Sequence, residues 1–204
     1  MSLQDMWKIE QSHFERGIQL ICGVDEAGRG PLAGPVCAAA VILPPNVEIP
    51  GLNDSKKLSD KKRRELYPVI MEKAIAYGIA FADHKEIDEI NILQATYLAM
   101  ERAINQLQVK PELALIDGNR AKDFGIPVET VIHGDSLSAS IAAASVLAKV
   151  TRDDYMLQMA EEYPGYDFEI HKGYGTKAHY AALTAHGPSP IHRMSFLKKF
   201  FGEI

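Results

Sequence analysis

Between Leu20 and Leu43 two apolar runs are joined by a turn too short to contain a helix, and this spacing constrains the fold more than any other feature of the chain. The first run, Leu20-Ile21-Cys22-Gly23-Val24, ends in two carboxylates, Asp25 and Glu26. The second, from Gly34 through Val36-Cys37-Ala38-Ala39-Ala40-Val41 to Leu43, has no polar side chain. Parallel strands need a crossover of a dozen or more residues, so the spacing predicts an antiparallel pair over 18–26 and 34–43. The charge at the strand end is costly unless it meets water, a cation or a donor. Gly28 and Gly30, bracketing Arg29, let the backbone approach a ligand and aim its N–H groups at an anion. Carboxylates suited to a metal beside amides suited to a phosphate suggest chemistry on a phosphodiester.

Alternation and helical spacing extend the pattern. A helix is predicted from Ser59 to about Ile75, with Pro68 as a candidate kink, and a strand over Tyr77–Ala82. A helix follows over Lys85–Leu107, with apolar positions at Ile87, Ile90, Leu93, Tyr97, Met100 and Ile104. Leu113–Asp117 reads as a fourth strand, stopped by Asp117-Gly118, and Val128–His133 as a short fifth. A long helix is predicted from Leu137 to about Tyr163; its small-residue start, Ser138 to Ser145, permits close packing on a sheet. Short helices around Thr176–Ala185 and after Arg193 complete the chain. The expected architecture is α/β, a mixed sheet flanked by helices.

At 204 residues and 47% hydrophobic, the chain can bury one substantial core. No apolar run reaches the roughly 20 residues of a membrane helix, and the N-terminus lacks the basic-then-apolar order of a secretory signal. The only cysteines, Cys22 and Cys37, lie in strand-like runs and read as reduced core thiols, so a cytoplasmic protein is expected. Net charge is −5, which does not advertise a nucleic-acid binder. Yet six of the nine residues from Lys56 to Arg64 are basic, either a solvated helix face or a contact for a polyanion.

Three acidic positions follow apolar strands: Asp25 with Glu26, Asp117, and Asp135 in Gly134-Asp135-Ser136. Strand ends in α/β sheets gather ligands, so these positions can converge. Each also has a plain alternative as a turn former, and Asp135 as an N-cap. Four clustered carboxylates need a compensating cation, and hard oxygen donors favour Mg²⁺ or Mn²⁺. Adjacent strand side chains point to opposite faces, so Asp25 and Glu26 can share one site only if the strand ends or twists between them. Tyr174, between Gly173 and Gly175, is either a surface tyrosine in a turn or an aromatic platform for a sugar or base. Ser189, His192 and Arg193 on a proline-rich loop, and Ser55 with Lys56 in Asp54-Ser55-Lys56-Lys57, read as phosphate grips.

Taken together, Asp-Glu-Ala-Gly-Arg-Gly at 25–30, Asp-Ser-Lys-Lys at 54–57, Ile-Asp-Gly-Asn at 116–119 and Gly-Asp-Ser at 134–136 resemble bacterial ribonuclease HII, the type 2 ribonuclease H. So do Ser140–Asp153, Lys-Gly-Tyr-Gly-Thr at 172–176 and His-Arg at 192–193, all in family order. The resemblance implies a ribonuclease H-like catalytic domain over 18–204, with a helical extension from about residue 163, behind an N-terminal segment over 1–17 to which it assigns no role. It implies a metal-dependent endonuclease acting on RNA paired with DNA and on ribonucleotides in duplex DNA. Asp25, Glu26, Asp117 and Asp135 then hold two Mn²⁺ or Mg²⁺ ions. The Gly28-Arg29-Gly30 backbone senses a 2′-hydroxyl, and Tyr174 packs on the following deoxyribose. A monomer is expected, with a sliding clamp as a candidate partner. A non-catalytic nucleic-acid-binding module and a metal-dependent phosphatase or nuclease on another substrate are the alternatives; the need for the acidic cluster and for one 2′-hydroxyl separates them.

Overall fold

The computed structural model describes residues 5–202. Residues 1–4 and 203–204, at the outer ends of the expected N-terminal segment and C-terminal extension, lie outside them. A single helical turn at Asp5–Trp7 leads into α1 (Lys8–Phe14), and then β1 (Ile21–Ala27) pairs antiparallel with β2 (Val36–Ile42), as the short connection requires. A 3-10 turn at Ser55–Lys57 precedes α2 (Asp60–Lys73), which runs through Pro68, then β3 (Ala76–Ala82) and α3 (His84–Asn105). β4 (Leu113–Asp117) and β5 (Val128–Val131) follow, then α4 (Gly134–Leu137), α5 (Ala139–Glu162), α6 (Phe168–His171), α7 (Lys177–His186) and α8 (Met194–Phe201). The sheet order is β3-β2-β1-β4-β5, with β4 parallel to both β1 and β5.

The strand period sets the layers. Cys22 and Val24 of β1 pack with Ile87, Ala95 and Met100 of α3, whereas Ile21 packs with Ile141 of α5 on the other face. Gly23 also points to the α5 face, where a Cβ would lie 2.1 Å from the Ser140 carbonyl carbon. Ala142, Ala143, Ala144 and Ala148 of α5 are fully buried. The small-residue face therefore does what its composition permits and lays the helix directly on β1.

One long helix expected to be continuous is interrupted, and the other begins two residues later than expected. Asn91 adopts φ +66°, and its side-chain oxygen accepts from the N–H groups of Leu93 and Gln94 at 3.0 and 3.2 Å, recapping α3. Ser138 is extended between α4 and α5, and its hydroxyl accepts from Ile141 N–H at 3.2 Å. Both residues belong to the class that satisfies a helix N-terminus from outside the helix, which hydrophobic periodicity does not register.

The N-terminal segment joins the main core, where Met6 and Trp7 are buried with β2 and α5. Glu10, also buried, accepts from the Ser138 hydroxyl at 2.6 Å and from Ser140 N–H at 3.0 Å. It thus supplies an acceptor at the positive end of α5. Glu10→Ala leaves the Ser138 hydroxyl and the Ser140 N–H without this acceptor and is expected to cost about 2 kcal/mol, read as a lower melting temperature.

Candidate active site

β1, β4 and β5 are parallel to one another, so their carboxyl ends share one edge of the sheet. Asp25 and Asp117 sit at the ends of β1 and β4, and Asp135 lies in α4 just beyond β5. One carboxylate oxygen from each of these three lies within 4.8 Å of the other two. Asp117 Oδ1 accepts from Gly134 N–H at 2.7 Å, and Asp25 Oδ1 from Glu26 N–H at 2.7 Å, which fixes both carboxylates. Asp135 does not cap α5, since Ser138 does; instead it pairs with Lys56 Nζ at 3.0 Å.

Glu26 obeys the alternation of the strand and turns to the α3 face. It lines a cavity of about 300 Å³ with Arg29, Tyr97, Asp117, Asn119 and Arg120, and pairs with Arg29 at 3.3 Å. Four carboxylates at one point, as the sequence suggested, become three in a cluster and a fourth across the strand end from them. Asp117 lies between, belonging to the cluster and lining the Glu26 cavity.

Burial pushes the Asp25 carboxyl well above the usual carboxylate range, and the charges of Glu26 and Asp117 push it further. Asp117 is raised by burial and then by Asp135. Glu26 is raised by burial, although Arg29 opposes the shift. Lys56 is pulled down by burial, but its hydrogen bond to Asp135 and the charges of Asp135, Asp25 and Asp54 carry it above its ordinary value. Oxygen donors held together against their own repulsion, with no His or Cys in the cluster, fit a hard divalent cation.

The glycine turn, which begins three residues along the chain from Asp25, stands beside Tyr174. A Cβ on Gly30 would lie 3.6 Å from the Tyr174 ring, which is half exposed. Gly28 is different: its φ is +96°, and a Cβ there would strike Arg152 Nε at 1.9 Å. Arg152, wholly buried, donates to the carbonyls of Ala33, Pro35 and Lys172 and lies under Tyr174, 5.9 Å from the ring centroid. Sequence reading missed this residue. The available signal was its place one turn after Ala148 and one turn before Met156, on the buried face of α5.

Two expected phosphate grips need correction. His192 and Arg193 are 2% and 0% exposed. The Arg193 guanidinium donates to the carbonyls of Gly34, Arg29 and Gly28 at 2.8, 2.9 and 2.6 Å, so it holds the glycine turn from beneath and cannot meet a phosphate in solvent. Ser189 is buried too, donating from its backbone N–H to His192 Nδ1. In the other motif, Ser55 is buried, its N–H donating to Ser145 Oγ, while the exposed Lys56 side chain faces the carboxylates. The basic run is largely engaged within the molecule. Arg63 donates to the carbonyls of Ser55 and Leu58, and Arg64 pairs with Asp60 and Asp154.

A mixed sheet of this order, with carboxylates gathered where its parallel strands end, defines an enzyme of the ribonuclease H-like fold. Ribonuclease H2 from Pyrococcus horikoshii OT3 superposes with a TM-score of 0.73 at 25% identity, over 90% of this chain and 99% of that one. The ribonuclease HII of Archaeoglobus fulgidus, solved as a complex with PCNA, gives 0.72 at 25% identity, over 86% and 94% of the two chains. The family model for ribonuclease HII matches residues 22–199. The ribonuclease HII of Dechloromonas aromatica (strain RCB) is 61% identical over 179 residues, 88% of this chain and 91% of that protein. This chain belongs to the ribonuclease HII family, and is a ribonuclease H enzyme.

Proposed function

We propose that the enzyme hydrolyses the RNA strand of RNA–DNA hybrids and incises 5′ of ribonucleotides embedded in duplex DNA, leaving 5′-phosphate and 3′-hydroxyl ends. The observation that carries this reading is the Asp25–Asp117–Asp135 cluster, followed along the chain from Asp25 by the Gly28–Gly30 turn, against which the Tyr174 ring lies. Asp25, Asp117 and Asp135, with Glu26 across the strand end, would hold two Mg²⁺ or Mn²⁺ ions. When bound, such ions lower the pKa of a water and neutralise charge at a leaving oxygen. Lys56 brings an ammonium group to the same edge, where a substrate phosphate meets the carboxylates. The backbone amides of Gly28, Arg29 and Gly30 approach the 2′-hydroxyl, the group that separates RNA from DNA at one position. Tyr174 packs on the next sugar.

In this reading the two glycines have separable duties. Gly28→Ala strains a left-handed residue and strikes Arg152, and is expected to destabilise the fold by about 3 kcal/mol. Gly30→Ala meets only ordinary contact with Tyr174, and is expected to change stability by less than about 0.5 kcal/mol while weakening cleavage severalfold. Thermal melts beside kinetics on one duplex check both.

The α8 helix exposes Met194, Phe200 and Phe201, an apolar edge that supports contact with a sliding clamp by an otherwise monomeric enzyme. Buried free thiols at Cys22 and Cys37 suit a cytoplasmic setting, and no helix among the described residues is long and apolar enough to cross a membrane. The test is an end-labelled RNA–DNA hybrid incubated with Mg²⁺ or Mn²⁺. Internal cleavage of the RNA strand, stopped by a chelator, is expected. An intact hybrid in both metals removes the proposal.

A further inference from the structure

Beneath Tyr174 lie three histidines whose hydrogen bonds admit one arrangement of protons. His192 Nδ1 sits 2.8 Å from Ser189 N–H, which can only donate, so that nitrogen is bare and the proton of a neutral ring is on Nε2. His192 Nε2 faces His179 Nε2 at 2.9 Å, so the latter accepts, and His179 carries its proton on Nδ1. That proton points at the Tyr174 carbonyl oxygen, 2.9 Å away. Independently, Gly173 N–H donates to His171 Nδ1 at 3.1 Å, so His171 donates from Nε2 to the Tyr166 carbonyl at 2.7 Å. All six ring nitrogens are thereby used, with every polarity assigned from the network. A further proton on any ring sets an N–H against an N–H.

We propose that His171, His179 and His192 are positioning residues acting as one neutral relay, which clamps the Gly173 amide and the Tyr174 carbonyl and so holds the Tyr174 ring beside Gly30 for a nucleotide sugar. This rests on the reading of Tyr174 as a substrate contact. The relay is walled by aromatic rings: Phe168 meets all three histidines at 5.6 to 6.0 Å between centroids, Tyr166 stacks on Phe168, and His171 stacks on His179 at 4.5 Å. The charged and titratable groups facing it are Arg152 through the Lys172 carbonyl, Arg193 next in sequence to His192, His84 at the start of α3, His186 edge-on to Tyr166, and Tyr174 itself. Asp88 of α3 accepts from the N–H groups of Met194 and Ser195 and faces Arg193, and no carboxylate among the described residues hydrogen-bonds to any of the three rings. Burial, then His179, pulls His192 down to about 4, and burial pulls His179 down as well. The unfolded His179 and His192 rings bind protons near pH 6.5 and the folded ones resist them, so their part of the clamp is intact above that pH and is lost as pH falls towards about 4.

Two measurements on the full-length protein test this. Long-range ¹⁵N–¹H spectra of the imidazoles are expected to show His192 and His171 protonated on Nε2 and His179 on Nδ1, with His192 not titrating between pH 8 and about 5.5 and His179 titrating below the ordinary imidazole range. An opposite tautomer at any of the three, or titration of His179 or His192 near pH 6.5, overturns the relay. Kinetics on a duplex with one ribonucleotide supply the second. Tyr174→Ala is expected to raise KM about tenfold. His192→Asn keeps an acceptor for Ser189 N–H but cannot reach His179, and is expected to raise KM nearly as much, with a smaller change in kcat and no further rise in the double variant. His192→Gln, which reaches His179, restores most of the loss. An unchanged KM in Tyr174→Ala overturns the sugar contact and the relay's purpose with it. A tenfold rise there, with His192→Asn unaffected or with the two factors multiplying, overturns the relay alone.

Discussion

Asp117→Asn is expected to lower cleavage by about 10³-fold or more, the order of losing a principal electrostatic anchor of a transition state, while leaving the fold intact. The fold is spared because the hydrogen bonds of the backbone N–H groups that Asp117 meets, those of Gly134 and Asp135, can equally be accepted by an amide oxygen. Burial and Asp135 already disfavour the ionised form of Asp117, so removing its charge relieves repulsion in the metal-free protein. The metal-free melting temperature should therefore stay level or rise. The parent should gain stability on adding Mg²⁺ or Mn²⁺, by mass action, and the variant should gain less. A large fall in melting temperature without metal would instead make Asp117 a structural residue.

Arg193→Met carries the second large effect, and it acts on both stability and activity. Arg193 and Arg152 lie fully buried near one another, and neither forms an ion pair with a carboxylate among the described residues. Their charge is met by carbonyl oxygens, three for each guanidinium. Burial, and then Arg152, pull Arg193 down to about 9, so it remains charged at neutral pH. Removing the guanidinium strands the carbonyls of Gly28, Arg29 and Gly34 at the base of the glycine turn. The expected cost is about 3–4 kcal/mol, a fall of roughly 10 °C in melting temperature for a chain of this size. Cleavage should fall at least about tenfold even where the variant is folded, because a displaced backbone misplaces the amides proposed to read the sugar. Lysine should not rescue it, since a single ammonium cannot fork to three carbonyls. Parent-like melting and activity in Arg193→Met would show that the turn holds its own shape.

The sequence made these two residues unequally readable. Asp117 stands at the end of Leu113–Asp117, a strand whose bounds the structure reproduces, because a continuous apolar run and the Asp-Gly turn mark its extent. The β1–β2 pairing was legible for a similar reason: a short connection leaves an antiparallel pair as the only arrangement. Arg193 was legible as a functional residue but not in its role. Residue type reveals a cation; only the folded loops reveal that carbonyls, and not water, surround it. Glu26 marks the same limit. Its strand position fixed the face it takes, yet motif reading alone placed it with the other carboxylates. Trp7 and Glu10 carried no pattern at all, since α1 is too short to display a period and its partners lie about 130 residues away in α5.

The most direct measurement is the cleavage map of a DNA duplex carrying a single ribonucleotide, resolved to one nucleotide, beside the same duplex without it. The expected result with Mg²⁺ or Mn²⁺ is one incision on the 5′ side of the ribonucleotide, giving a 5′-phosphate and a 3′-hydroxyl, and an untouched all-DNA control. Equal cutting of both duplexes, or a cut that leaves a cyclic phosphate made by the 2′-hydroxyl, would contradict a site in which carboxylate-held metals act on water while the Gly28–Gly30 backbone reads one sugar hydroxyl.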